Sequence, residues 1–176
     1  MEKIRIENFA GIKFMDFEFK SINILIGPQG AGKSVTVKLL YFFKSFFSEI
    51  LRSIDSEESK RELDKKQKEK FITFFPRESW PKGDFKITYT LEKTTIAIER
   101  LNNQVNFDYS DNLKRAISKV RKIYTDEKKR ISDDPKRSSY SFKLQLNEKL
   151  ENLFKQEISS ESMYSQFFIP AGRSFF

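Results

Sequence analysis

Three of the chain's six glycines fall in the stretch Gly27-Pro28-Gln29-Gly30-Ala31-Gly32-Lys33-Ser34. This spacing, G-x-x-x-x-G-K-[ST], limits the fold more than any other feature. An apolar run, Ile22 to Ile26, precedes it, and an apolar stripe at helical spacing follows. A strand, a glycine-rich turn and a helix in that order form a phosphate-binding loop. Glycines let successive backbone N–H groups turn inward around an anion with no Cβ in the way. The helix N-terminus adds the positive end of its dipole. Lys33 is expected to reach the β- and γ-phosphates of a nucleotide, and the Ser34 hydroxyl to ligate its Mg²⁺. The candidate nucleotide-binding set is Gly27, Pro28, Gln29, Gly30, Ala31, Gly32, Lys33, Ser34 and Val35, with ATP and Mg²⁺ as the expected cofactors.

Periodicity around the loop predicts an α/β fold. Ile4 and Ile6 alternate with polar residues, as do Met15, Phe17 and Phe19, which predicts two half-exposed antiparallel strands joined at Ala10-Gly11. Ile22, Ile24, Leu25 and Ile26 predict a buried central strand. Leu39, Leu40, Phe43, Phe46, Phe47, Ile50, Leu51 and Ile54 predict a helix from about Lys33 to Ile54. Residues 56–75 predict a charged helix ended by Pro76. Period-2 patterning at Phe85–Leu91, Ile96–Ile98 and Val105–Tyr109 predicts a three-stranded meander. Helices follow at about 111–131 and 143–158, separated by a loop, and a strand opens "QFFIPAGRSFF". The expected whole is a mixed sheet with antiparallel N-terminal strands around a central helix. Residues 1–55 form its strands, loop and first helix. Residues 56–165 are a helical and β-meander insertion, and 166–176 a strand leading onward.

Composition narrows the chemistry. The 176 residues suffice for one domain with a core, and 19 Phe supply core material. With no Cys and no His, disulfides, thiolate metal sites and His-based acid–base schemes are excluded. No secretory signal or membrane-length apolar stretch is evident, so the expectation is a cytoplasmic protein with no membrane partner. The net charge of +8 favours polyanionic partners. Basic runs lie between Lys60 and Lys70 and between Lys114 and Arg137. They read as a nucleic-acid surface or as solvated helix faces, because acidic residues are interspersed.

The opening "KIRIENFAGIKFMDFEFKSINILIGPQGAGKSVTVKLLYFF" resembles that of the SMC/RecF-like branch of ABC-type ATPases. This group includes the overcoming-lysogenization-defect-like enzymes and the Septu-type and retron-associated defence ATPases. The closing "FFIPAGRS" resembles a strand motif that follows the variable insert of those proteins. The chain departs from their pattern at Gln29, where Asn is commoner. The resemblance implies an ATPase head that dimerises head to head across ATP, each loop completed by a signature segment of the partner. It places Arg173 where such heads sense the γ-phosphate, although Arg173 also reads as an ordinary surface arginine. It implies a C-terminal ATPase lobe, in the same or a separate chain. A nuclease or other effector, nucleic acid and antiviral defence are the further implied associations.

No four-residue apolar run followed by Asp-Glu occurs in the sequence, and no S-G-G or S-G-Q signature. In the resembled proteins these lie beyond "PAGRS", so the expectation is the N-terminal lobe of a longer or split ATPase, inactive alone. Two rival functions stay open. A small P-loop kinase suits the length, but two amphipathic strands precede the loop here. A non-catalytic assembly module would keep nucleotide only as structure.

Overall fold

The computed structural model describes residues 1–133, 140–164 and 166. β1 (Glu2–Phe9) and β2 (Ile12–Phe19) pair as an antiparallel hairpin. Ala10 at φ 49° and Gly11 at φ 83° form its two-residue turn, and two positive φ angles match the twist of the flanking strands. β3 (Phe85–Leu91), β4 (Thr94–Leu101) and β5 (Gln104–Tyr109) form the expected meander. Asn102 at φ 50° and Asn103 at φ 66° turn its second hairpin in the same way.

The two units share one sheet, because β1 pairs with β3, and the strand order is β2-β1-β3-β4-β5. Every pairing among the described residues is antiparallel. Of the expected mixed sheet, the described residues form an antiparallel part only: the meander extends the N-terminal hairpin edge to edge, and no described strand supplies a parallel component. Register aligns Ile4 with Tyr89, Ile96 and Tyr109, and Ile6 with Ile87, Ile98 and Phe107. That row of side chains faces the core, while Lys3, Arg5 and Asp16 form an ion-paired opposite face (Lys3–Asp16 3.0 Å, Arg5–Asp16 2.7 Å). One dry and one wet face is the usual solution for an antiparallel sheet.

Helix α1 (Lys33–Asp55) covers the dry face. Its Phe43 stacks on Tyr89 with centroids 5.2 Å apart, and Phe46 lies 5.5 Å from Tyr109. Helix α2 (Lys60–Phe74) starts at a capping box in which the Ser59 hydroxyl accepts from Glu62 N–H and Glu62 accepts from Ser59 N–H. Its Phe71 packs between Phe9 and Phe42 at 5.7 and 5.6 Å. Helices α3 (Asp111–Asp133) and α4 (Tyr140–Glu157) pack on each other, and Phe154 reaches Phe47 at 6.1 Å. No helix among the described residues is long and apolar enough to cross a membrane.

The run before the glycine-rich loop differs from its expectation. Residues 23–28 form no strand, and Ile22, Ile24 and Ile26 are 84%, 79% and 90% exposed. A buried central strand needs ladder partners beside it. The chain leaves β2 through a local turn in which Asn23 Oδ1 accepts from Lys20 N–H at 2.9 Å, and no described strand runs alongside. The loop expected at 132–139 starts later, because α3 continues through Ser132 and Asp133; its remainder, 134–139, and the closing segment 167–176, with Arg173, lie outside the described residues.

Candidate functional site

The glycine-rich loop joins the exposed run to α1, and its shape follows from three backbone angles. Gly30 and Gly32 take φ 81° and 84°, and Gly27 takes φ 159°. The first two lie in the left-handed region that side chains rarely adopt. Gly32 meets a second constraint. A Cβ there would stand 2.5 Å from Ile12 Cδ1 and 2.7 Å from Ile12 Cγ1, so β2 supports the loop only because this position has no side chain.

Gly32 is also the N-cap of α1, with no side chain capping the helix and no acidic residue in its first turn. Ala31 N–H donates to Pro28 O at 3.3 Å, and Thr36 N–H to Gly32 O at 2.9 Å begins the helical ladder. The N–H groups of Lys33, Ser34 and Val35 precede that first rung, so the helix presents donors with no intrahelical acceptor. Ser34 is exposed at this end. The Lys33 ammonium folds back over the loop and donates to Gly27 O at 2.5 Å and Pro28 O at 2.6 Å. The structure thus brings Gly27 through Val35 together at one helix end. An uncapped helix N-terminus, an ammonium and an exposed hydroxyl fit an anion with an associated hard cation. Among the described residues no cluster of His, Cys, Asp or Glu could itself hold a metal ion.

Sequence reasoning did not single out the residues behind the loop. Thr36 is fully buried, and its hydroxyl is 3.0 Å from Gly32 O and 3.3 Å from Met15 Sδ. This ties the first turn of α1 to its cap and to β2. The available signal was a hydroxyl residue two positions after the Lys-Ser pair, on the helix face that also carries Leu39 and Phe43.

Part of each basic run is paired within the chain. Lys66 pairs with Glu58, Lys70 with Glu49 at 3.3 Å, Lys119 with Glu157 at 2.5 Å, Lys128 with Glu57, and Arg130 with Glu127 at 3.4 Å. At these positions the side chains form solvated, ion-paired helix faces.

Comparison with known proteins adds the deciding observation. The family described as AAA ATPase domain matches residues 1–167. The chain belongs to the AAA ATPase domain family. No curated protein and no solved structure matches it at a significant level. For an AAA ATPase domain, ATP is the implied ligand and Mg²⁺ its usual companion, and the family association suggests hydrolysis as well as binding. The glycine-rich loop described above lies inside the matched region.

Proposed function

We propose that Gly27–Val35 binds Mg-ATP, with backbone N–H groups around the phosphates, Lys33 on the β- and γ-phosphates and Ser34 on the Mg²⁺. The observation that carries this reading is the uncapped N-terminus of α1 behind Gly32, where side-chain-free backbone meets Lys33 and Ser34. Bound ATP supplies the phosphoanhydride that hydrolysis would cleave. Lys33 holds loop carbonyls in place of phosphate oxygens, and it must release Gly27 O and Pro28 O to reach them. Titration calorimetry tests the reading. Lys33→Ala is expected to weaken Mg-ATP binding at least about tenfold, since charge-assisted bonds of this kind contribute roughly 1.5–3 kcal/mol. Equal affinity in that variant sinks the assignment.

The finer reading is a head lobe of the SMC/RecF-like, ABC-type kind, completed by a C-terminal lobe and a second head. The exposed Ile22, Ile24 and Ile26 favour it, because they flank the loop as an apolar strand would if a partner supplied its ladder. Arg173 is the proposed γ-phosphate sensor. Coupling to nucleic acid or to an effector such as a nuclease, in antiviral defence, follows from the family resemblance alone.

A further inference from the structure

Apart from the glycine-rich loop, the described residues place a second cationic recess at the same end of the sheet. It lies where the α2–β3 connection meets the β4–β5 turn, and has a volume of about 410 Å³. Its cations are Lys68 of α2, Arg77 and Lys82 of the connection, and Arg100 of β4, and no carboxylate lines it. Lys68, Arg77 and Lys82 form no ion pair among the described residues, unlike the paired lysines elsewhere on α2 and α3. Arg77 instead lies 5.9 Å from the Trp80 ring.

The recess is built from fixed parts. Trp80 donates its indole N–H to Phe75 O at 2.8 Å and packs on Phe71 and Phe85 at 5.8 and 5.5 Å. Arg100 donates to Pro81 O, to Gly83 O at 3.2 Å and to Asn103 Oδ1. All three acceptors are neutral, so the guanidinium is held in place without losing its charge. Asn103 is presented by the left-handed turn at Asn102-Asn103. A rigid arginine, three unpaired cations and the absence of lining carboxylates are what a multiply charged oxyanion requires.

We propose that this recess binds phosphate groups, independently of the nucleotide loop. The shared chemistry is the phosphate oxyanion, and its source is either the backbone of a nucleic-acid strand or a small phosphate. Two probes distinguish the sources: a labelled single-stranded oligothymidylate followed by anisotropy, and inorganic pyrophosphate followed by calorimetry. Trp80 is the chain's only tryptophan, so its emission locates binding at the recess. The Lys68→Glu/Lys82→Glu variant is expected to lose at least about tenfold in affinity at low salt, while Lys33→Ala keeps the recess affinity. Strand binding would show a salt slope of about −2 to −3, from three or four neutralised phosphates. Circular dichroism checks that the double variant folds, and Lys82→Gln, at an exposed position, serves if it does not. Pyrophosphate binding without strand binding assigns the small-phosphate source. No binding of either probe, or affinity unchanged by the recess substitutions, overturns the proposal. So does binding abolished by Lys33→Ala alone, which would place it at the nucleotide loop.

Discussion

Gly32 and Ile12 share one space: the missing Cβ of the glycine is what leaves room for the Ile12 side chain at 2.5–2.7 Å from where that carbon would stand. Ile12 is itself buried on β2 and cannot swing into solvent without uncovering the core. Gly32→Ala is therefore expected to destabilise the fold by about 1–3 kcal/mol, through contact and through φ 84°. Mg-ATP affinity should fall with it, because the first turn of α1 shifts. Adding Ile12→Val should recover only part of the loss, since the backbone angle persists. Urea midpoints and Mg-ATP calorimetry on the variants check this, and a Gly32→Ala protein that binds like wild type removes the steric argument.

Alkaline stability should depend on two buried phenols. Tyr89 donates to Glu2 Oε1 at 2.7 Å and Tyr109 donates to Asp64. Burial first, then these carboxylates, push both hydroxyls well above the usual tyrosine range. Their contribution is complete below the unfolded-state pKa of about 10. Above it the unfolded chain releases the protons and the folded chain retains them, so stability falls as pH rises. Tyr89→Phe should lose part of this slope between pH 10 and 11. Urea midpoints from pH 8 to 11 measure it, and parallel curves for variant and wild type would contradict the buried-phenol account.

The exposed isoleucines before the loop should matter to association and not to folding. Ile24→Ser and Ile26→Ser are each expected to change stability by less than about 0.5 kcal/mol. Ile98→Ala, at a fully buried site, should cost roughly 2–5 kcal/mol. Sedimentation velocity should show less self-association in the serine variants. A large loss of stability from Ile24→Ser would mean the run is buried after all.

Under the two-lobe reading, the 176-residue chain alone should bind Mg-ATP without turning it over. Binding a substrate without favouring its transition state gives no rate, and hydrolysis also needs an oriented water and charge stabilisation. A steady-state phosphate-release assay, with Lys33→Ala as control, decides this. Robust turnover lost in the control favours a self-sufficient enzyme instead.

Local patterns were legible in the sequence because local physics sets them. The alternation at Ile4-Ile6 and Phe85–Leu91 and the stripe from Leu39 to Ile54 each became the expected element. The two-residue turn at Ala10-Gly11 formed where it was expected. What was not legible depends on distant partners. Nothing near β1 or β3 states that these two pair, so the edge-to-edge joining of hairpin and meander was not readable. The run at Ile22–Ile26 carries the composition of burial, but burial belongs to the surroundings. At the loop, the residue types were readable, whereas Ile12 filling the space beside Gly32 was not. The recess around Arg100 draws on positions 68, 77, 82 and 100, too scattered for a motif.

The pairing of β1 with β3 carries a consequence for synthesis. β2 covers one side of β1 as soon as Phe19 has emerged, but the strand for the other side ends only at Leu91. At ordinary translation rates of about 5–20 residues per second, the delay is roughly 4–14 s. Through that interval the nascent hairpin presents an open backbone edge, and the aromatic stripe of α1 has no sheet face wide enough to receive it. The ribosome-bound chain therefore passes through a window in which a neighbouring nascent copy could occupy the place of β3, and slowing translation before Phe85 should raise co-translational aggregation.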